Sequence, residues 1–427
     1  MSDGPSRASK NKRRSRTPKR SRSAGRSPDR GQPSSVERGV LVVNGYSEQW
    51  LRRGFPWVYD EEVERKHAAI APGDTVQIRA RDGTVLGTGV YDLGRIAVRR
   101  FREDAGPIDV ELFTGRIRAA HARRRLPPRT SAWRLVHGEN DDLPGVRIEM
   151  WNDVAVITLD SPALLGIHAD LIEALRRVMD LSAAWLHWRP GDEGDRRFDD
   201  LPTGLVWGEA ALEALTVQEL GLSYRVLPAA GHDIGLFCDM RALRAWMTPH
   251  WAGRRVLNTF CFTGAFSVAA VAHGAREVVS VDLSGPILER VRANFEANHL
   301  DPKPHPIWQE DTFKALDRLR RKGERFDVII ADPPSFSHGP AGTWSVQKDY
   351  RRLVSACLRV LAPGGWLIAA TNLGSISPRE FKGYLIDGAE RAGRRLRLIH
   401  DASTPMDFPA ALHFPESRYL KCWVLEG

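Results

Sequence analysis

Apolar and polar positions recur with different periods in successive parts of the chain. In residues 40–101 the apolar runs are short and divided by turn signals. Val40-Leu41-Val42-Val43 comes first, and after a turn Gly54-Phe55-Pro56-Trp57-Val58-Tyr59. Thr75-Val76-Gln77-Ile78-Arg79 follows Pro72-Gly73-Asp74, Val85-Leu86-Gly87 follows Asp82-Gly83, and Ile96-Ala97-Val98-Arg99 ends the series. Asp-Gly is a strong hairpin signal, and short strands so spaced predict a small β-barrel of about 60 residues. From 106 to 225 the pattern is mixed: helical spacing over 108–125 and 164–177, alternation near 146–148 and 154–156. Beyond 231, apolar runs of strand length alternate with helical patterns, which predicts a parallel, doubly wound sheet of seven strands. The expected organisation is a β-barrel at 39–104, a central α+β domain at 105–228 and an α/β domain at 229–427. Residues 1–38 have no aromatic and almost no aliphatic side chains, so they cannot bury enough apolar surface to fold and read as a disordered arm.

The α/β domain is organised around residues 255–336. Val256-Leu257-Asn258 runs into the loop Thr259-Phe260-Cys261-Phe262-Thr263-Gly264, which opens a helical pattern. A second run, Val278-Val279-Ser280-Val281, ends on Asp282. A third, 326–331, ends on Asp332-Pro333-Pro334-Ser335-Phe336. In such sheets ligands lie at the carboxyl ends of the strands, where the loop, Asp282 and Asp332 converge. A diphosphate would need several glycines for close backbone approach. This loop has one glycine with Phe260, Phe262 and Phe266 nearby. An acid at the end of the second strand suits ribose hydroxyls. A nucleoside without phosphates meets both conditions, and S-adenosylmethionine is the common one. The alternative is a Rossmann-like domain that binds something else.

Charge changes the picture at one end only. Residues 1–38 hold 12 Lys or Arg against 3 Asp or Glu, which equals the surplus of the whole chain, +9; the other 389 residues carry 50 of each sign. The arm could anchor RNA by neutralising phosphates or merely keep the protein soluble. The helix over 108–125 carries Arg116, Arg118, Arg123, Arg124 and Arg125, either as a phosphate-contacting face or as a solvated one. Cys238, Cys261, Cys357 and Cys422 are scattered without metal-ligand spacing, which argues for a reducing cytoplasm and against zinc or disulfides. No apolar run approaches the roughly 18 residues of a membrane span.

The chain resembles, over about residues 40–427, the family of ribosomal-RNA large-subunit methyltransferases I: a PUA barrel, a central α+β domain and a Rossmann-like class I methyltransferase domain. Gly54-Phe55-Pro56-Trp57-Val58-Tyr59 resembles the barrel motif, with Phe55 where histidine is usual. Arg134-Leu135-Val136-His137-Gly138-Glu139 through Leu143-Pro144-Gly145 resembles the central signature. The loop 256–264 is similar to the donor loop and Asp332-Pro333-Pro334-Ser335-Phe336 to the catalytic motif. The resemblance implies that S-adenosylmethionine is bound by Asn258, Phe260, Thr263 and Gly264, with Asp282 on the ribose and Asp311 on the adenine amino group. It also implies that Phe237, Asp239 and Arg241 belong to the segment closing over the donor, where Asp233-Ile234-Gly235 replaces a usual Lys-Thr-Gly.

The target atom turns on cysteine. Carbon 5 of cytosine needs a thiolate adding at carbon 6, and in cytosine-modifying relatives that cysteine ends the fifth strand. Here that position reads Thr371-Asn372-Leu373-Gly374-Ser375, and the catalytic motif holds Ser335. A ring nitrogen with a free lone pair, such as guanine N7, needs only positioning. Asp332, Pro333, Phe336 and Asn372 are then the expected catalytic group, with Phe336 stacking on an extruded base. Ser337 and Trp344-Ser345-Val346-Gln347-Lys348-Asp349 also resemble the guanine-N7 branch. The reading is therefore a methyltransferase of a large-subunit ribosomal RNA base, nitrogen favoured, with a homodimer left open. Its rivals are cytosine methylation by a displaced nucleophile, for which Cys238 is the candidate, a non-catalytic RNA-binding or assembly factor, and a small-molecule methyltransferase.

Overall fold

A computed structural model describes residues 39–67, 69–188, 203–209, 214–339 and 342–427. The basic arm lies outside them. Residues 38–427 cluster as one compact unit.

The first sheet has six strands, in the order Trp57–Tyr59, Ile96–Arg102, Val85–Tyr91, Thr75–Arg79, Gly39–Val43, Val63–His67. Its core is small and aliphatic, built on Leu41, Val43, Val58, Val76, Ile78 and Val98. The turn expected after Val43 is instead a helix, Gly45–Arg52. Asn44 caps it, its side chain accepting from the Ser47 amide. That single cap and the burial of Ser47 and Leu51 outweigh a sequence too short and polar to announce a helix. Val63–His67, read as no element, pairs antiparallel with Gly39–Val43.

The central region is a five-stranded sheet, ordered Gly204–Gly208, Ala183–Trp188, Val154–Leu159, Val146–Trp151, Ala132–His137. Helices Val110–Arg123 and His168–Val178 pack on it, contributing Phe113, Ile117, Leu171 and Leu175 to its core. The arginines of the first helix and its end are divided between scaffold and solvent. Arg116 donates to the carbonyls of Phe101 and Asp142, and Arg123 and Arg124 both pair with buried Asp141. Arg116 and Arg124 are thus spent on the scaffold, while Arg118, Arg123 and Arg125 stay exposed.

The third region carries the seven-stranded sheet. Its strands are β1 (Arg255–Thr259), β2 (Glu277–Asp282), β3 (Ile307–Gln309), β4 (Phe326–Ala331), β5 (Leu361–Thr371), β6 (Arg397–Asp401) and β7 (Lys421–Glu426), in the spatial order 3-2-1-4-5-7-6. The first five are parallel, while β7 runs antiparallel to both β5 and β6. Helices α1 (Ala265–Ala272), α2 (Gly285–Ala297), α3 (Thr312–Arg321), α4 (Val346–Leu358) and α5 (Pro378–Arg391) cover its faces. The near-continuous apolar character of β1, β4 and β5 follows from burial on both faces. Strand order reverses between β1 and β4, so a crevice opens at their carboxyl ends. Among the described residues no helix is long and apolar enough to cross a membrane.

Candidate active site

β1 delivers Asn258 and Thr259 to the crevice, both buried, and both side chains also brace the scaffold. Asn258 donates to the Ser267 hydroxyl at 2.9 Å, which meets the Ser280 hydroxyl at 2.8 Å; Thr259 donates to the Ile330 carbonyl at 2.6 Å. These bonds tie β1 to α1, β2 and β4. The loop beyond is tightly wound: Phe260, Phe262 and Gly264 have φ of 54°, 49° and 78°. Left-handed backbone at two aromatic residues costs about 1–3 kcal/mol each and persists only where surroundings impose it. Here they do. Asp282, ending β2, accepts from the Phe262 amide at 3.1 Å, and the Cys261 amide bonds to Val281 at 3.0 Å. Thr263 donates to the Gly235 carbonyl, and Asn294 donates to Thr263's own carbonyl at 2.8 Å.

The crevice enclosed is a cleft lined by Phe237, Met240, Arg244, Asn258, Phe260 and Asp332 together with Cys261, Phe262, Thr263 and Phe266. It is rich in aromatic faces and has no glycine-lined cradle for phosphates. That composition suits a nucleoside carrying a cationic sulfonium, since a cation is attracted by aromatic faces. Phe237 is about half exposed, its ring 5.0 Å from that of Phe262.

The expected donor residues do not all converge. Phe237, Asn258, Phe260 and Thr263 line the cleft. Gly264 is the turn that starts α1, where a Cβ would stand 2.8 Å from Val291. Asp282 accepts backbone amides from Phe262 and Ser284, and burial raises its carboxyl pKa. Asp311 caps α3 through the Lys314 amide. Arg241 is a correction: it is fully buried away from the cleft, held by Glu219, Asp407 and the Ala132 carbonyl. Three partners leave that guanidinium little capacity for a ligand, and its role is architectural. Arg244, one turn on, takes the place at the cleft. It is fixed by Glu219 at 2.6 Å and lies 5.4 Å above the Phe266 ring.

Asp332 follows the last residue of β4, with its pKa pushed up to about 7. Burial is the main cause and the nearby Asp239 carboxylate adds to it, opposed by Arg244. Asp239 is itself raised by burial, against the Tyr419 hydroxyl that donates to it at 2.7 Å. Beyond Asp332, the Ser335 hydroxyl donates to Asn372 Oδ1 at 2.9 Å, joining the motif to the end of β5. The Pro334 carbonyl accepts from the Trp344 indole at 2.8 Å, while Pro333 is buried. Phe336 stands 56% exposed at the start of a hairpin, Phe336–Gly339 with Gly342–Ser345. Sequence reasoning missed Arg244 and Tyr419. An arginine three residues after Arg241 was a readable hint; nothing local marks Tyr419, which reaches Asp239 across 180 residues.

All four cysteines are buried. Burial raises the thiols of Cys238, Cys261 and Cys422 well above their ordinary value, and that of Cys357 to about 12. Cys238 is therefore poorly placed as a nucleophile, because the thiolate is the reactive form.

With this geometry in view, the comparisons with known proteins are specific. The profile of S-adenosylmethionine-dependent methyltransferases matches residues 170–416, and that of PUA-like domains residues 41–103. Ribosomal RNA large subunit methyltransferase I of Aeromonas salmonicida (strain A449) is 32% identical over 395 residues, covering 91% of this chain and 99% of that protein. The enzyme of the same name from Salmonella arizonae (strain ATCC BAA-731 / CDC346-86 / RSK2980) is 33% identical over 388 residues, covering 89% and 96%. The crystal structure of SMU.776 complexed with SAH superposes with a TM-score of 0.82 at 27% identity, covering 91% of this chain and all of that one. The chain belongs to the S-adenosylmethionine-dependent methyltransferase family, in the branch that pairs a PUA-like domain with the methyltransferase fold and includes the ribosomal RNA large subunit methyltransferases I.

Proposed function

We propose that this methyltransferase acts on a base of large-subunit ribosomal RNA, at a ring nitrogen such as guanine N7, without a covalent bond between enzyme and base. The RNA follows from the names its relatives carry. The observation that carries the choice of atom is the pair standing where a thiol would be needed, Ser335 hydrogen-bonded to Asn372; all four cysteines are buried, and the one that lines the cleft, Cys261 in the loop after β1, has its thiol held protonated by burial.

Asp282 would hold the ribose hydroxyls, Asp311 the adenine amino group, and Phe237 with Phe260, Asn258 and Thr263 the body of the donor; Asp239 braces the closing segment through Tyr419. S-adenosylmethionine supplies an electrophilic methyl on a cationic sulfur. The exposed Phe336 ring offers a stacking surface for an extruded base. The Pro333 carbonyl and Asn372 would hold that base's edge. Methylation at N7 leaves the base positively charged, and an ionised Asp332 stabilises that charge where it develops. Positioning of this kind is sufficient for an atom with a free lone pair.

Nucleoside mass spectrometry tests the reading. Unmodified ribosomal RNA is incubated with the protein and isotopically labelled donor, digested and scanned. Labelled 7-methylguanosine or another N-methyl base is expected. Labelled 5-methylcytidine would overturn the choice of atom, and loss of that label in Cys238→Ala would locate the displaced nucleophile.

A further inference from the structure

A second concavity lies on the outer face of the methyltransferase sheet, between α3 and α4 and closed at one end by α5. Its volume is about 560 Å³. Each helix contributes one row at the spacing i, i+3, i+4, i+7: residues 313, 316, 317 and 320 from α3, and 352, 355, 356 and 359 from α4, with Arg391 at the end of α5. Such rows lie on one face of a helix, so the two faces form opposite walls. Their character is uneven, with an apolar floor at Leu316 and Ala356 and four exposed arginines above it, Arg320, Arg352, Arg359 and Arg391.

These arginines are under-neutralised. Asp317 pairs with Arg320 at 2.9 Å and with Arg321 at 3.1 Å. Arg352 lies 4.1 Å above the Phe313 ring, and Arg359 donates to the Arg391 carbonyl at 3.3 Å. Among the described residues no carboxylate pairs with Arg352, Arg359 or Arg391. In a body whose charges balance at 50 of each sign, that is a local positive concentration. Guanidinium groups with their donors uncommitted are suited to phosphate oxygens.

The groove also leads from the active site. A helix that follows a parallel strand starts at the strand's carboxyl edge, so Phe313 and Arg352 mark the upper end, and Arg320, Arg359 and Arg391 the lower. The Phe313 ring is 6.0 Å from Trp344, which bonds the Pro334 carbonyl of the catalytic motif and lies 5.7 Å from Phe260 of the donor loop. Arg352 and Arg359, seven residues apart, stand about 10 Å apart along α4.

We propose that this groove binds the sugar–phosphate backbone of the substrate RNA and leads the strand from the rim of the cleft to the opposite edge of the sheet. The proposal rests on the RNA reading above. Charge complementarity and continuity with the catalytic motif select the RNA backbone as occupant.

The test uses the full chain and compares wild type with Arg352→Glu/Arg359→Glu and, as a second pair that leaves Phe313 covered, Arg359→Glu/Arg391→Glu. Binding of an unmodified ribosomal RNA fragment is followed by fluorescence anisotropy over a salt series, alongside methyl-transfer kinetics and donor affinity. Loss of two phosphate contacts makes the slope of log K against log salt shallower by about 1.4, at roughly 0.7 per single-stranded contact. KM for the RNA rises about tenfold or more at moderate salt, while kcat and donor affinity hold. The basic arm is common to all variants, so its contribution cancels. Wild-type transfer to RNA with unchanged slope and KM in both variants overturns the groove and leaves the RNA reading intact. A wild-type protein that neither binds nor methylates RNA overturns both.

Discussion

Asp332 sits between opposing influences that place its titration near neutrality: burial and Asp239 push it up to about 7, and Arg244 restrains it. A cation in the cleft favours the ionised form. Affinity for the cationic donor should therefore improve as pH rises from 6 to 8, whereas affinity for the neutral product, S-adenosylhomocysteine, should not share that gain. Taking the ratio of the two removes the titration of the amino-acid end they have in common. Calorimetry across that window is expected to show a ratio rising by up to about tenfold, and Asp332→Asn should flatten it. A wild-type ratio independent of pH would remove Asp332 from the sulfonium's neighbourhood. Stability runs with the opposite sign. A raised carboxyl pKa gives a contribution present below about 4 and lost as pH climbs through about 7, so Asp332→Asn should gain on wild type at pH 8. At this scale the sequence was informative where the fold rule applied, because acids that end parallel strands are marked by the apolar runs before them. It was silent on Tyr419, Glu219 and Arg244, whose partners lie tens to hundreds of residues away. It placed Arg241 at the donor for the same reason: nothing adjacent announces Asp407, 166 residues on.

Among elements, the donor loop shows how much of a turn is hidden in sequence. Its one glycine was readable, but the left-handed backbone at Phe260 and Phe262 was not. Aromatic residues disfavour that region, and tertiary contacts, among them the bonds to Asp282 and Val281, hold the loop there. Gly264 has no such latitude. At φ of 78°, with Val291 Cγ1 2.8 Å from a Cβ position, an alanine meets both backbone strain and a side-chain collision. Gly264→Ala is expected to destabilise the protein by about 1–3 kcal/mol and to weaken donor binding, measured by denaturant unfolding and by calorimetry on the folded fraction. Full donor affinity and unchanged stability would show that α1 can shift away from α2 at no cost. Long strands and helices of the third region were legible because their periods are sustained. The short helix Gly45–Arg52 and the hairpin Leu215–Glu219 with Leu222–Val226 were not, since one capping bond or one tertiary partner decides such segments. For the hairpin those partners are Asn294 and Asn298 of the α2 region, which receive the amides of Arg225 and Ser223 at 2.8 Å.

For the molecule as a whole, the connection between β6 and β7, residues 402–420, reaches all three sheets. Asp407 accepts from the Arg134 amide at 2.9 Å and pairs with Arg241, and the Ala411 amide donates to Asn140. Phe414 is buried against Trp57 and Phe55 of the first sheet, with ring centres 4.8 and 5.9 Å away. Trp57 in turn donates to Glu139 of the central region at 2.8 Å. One segment thus holds the PUA-like sheet, the central sheet and the methyltransferase sheet together. No run of the sequence signals this, because the segment's few apolar residues lie among prolines and polar positions and find their partners hundreds of residues upstream. Its consequence is cooperative unfolding. Scanning calorimetry should show one transition for the body of the chain, since the three sheets share buried side chains rather than flexible linkers. Phe414→Ala removes a buried ring at the junction and should cost about 3–5 kcal/mol. If the junction couples the sheets, the variant either lowers that single transition or releases a smaller one, the first sheet melting ahead of the rest. Two separate transitions already present in wild type, with Phe414→Ala affecting neither, would mean that the sheets fold independently and that the segment only rests upon them.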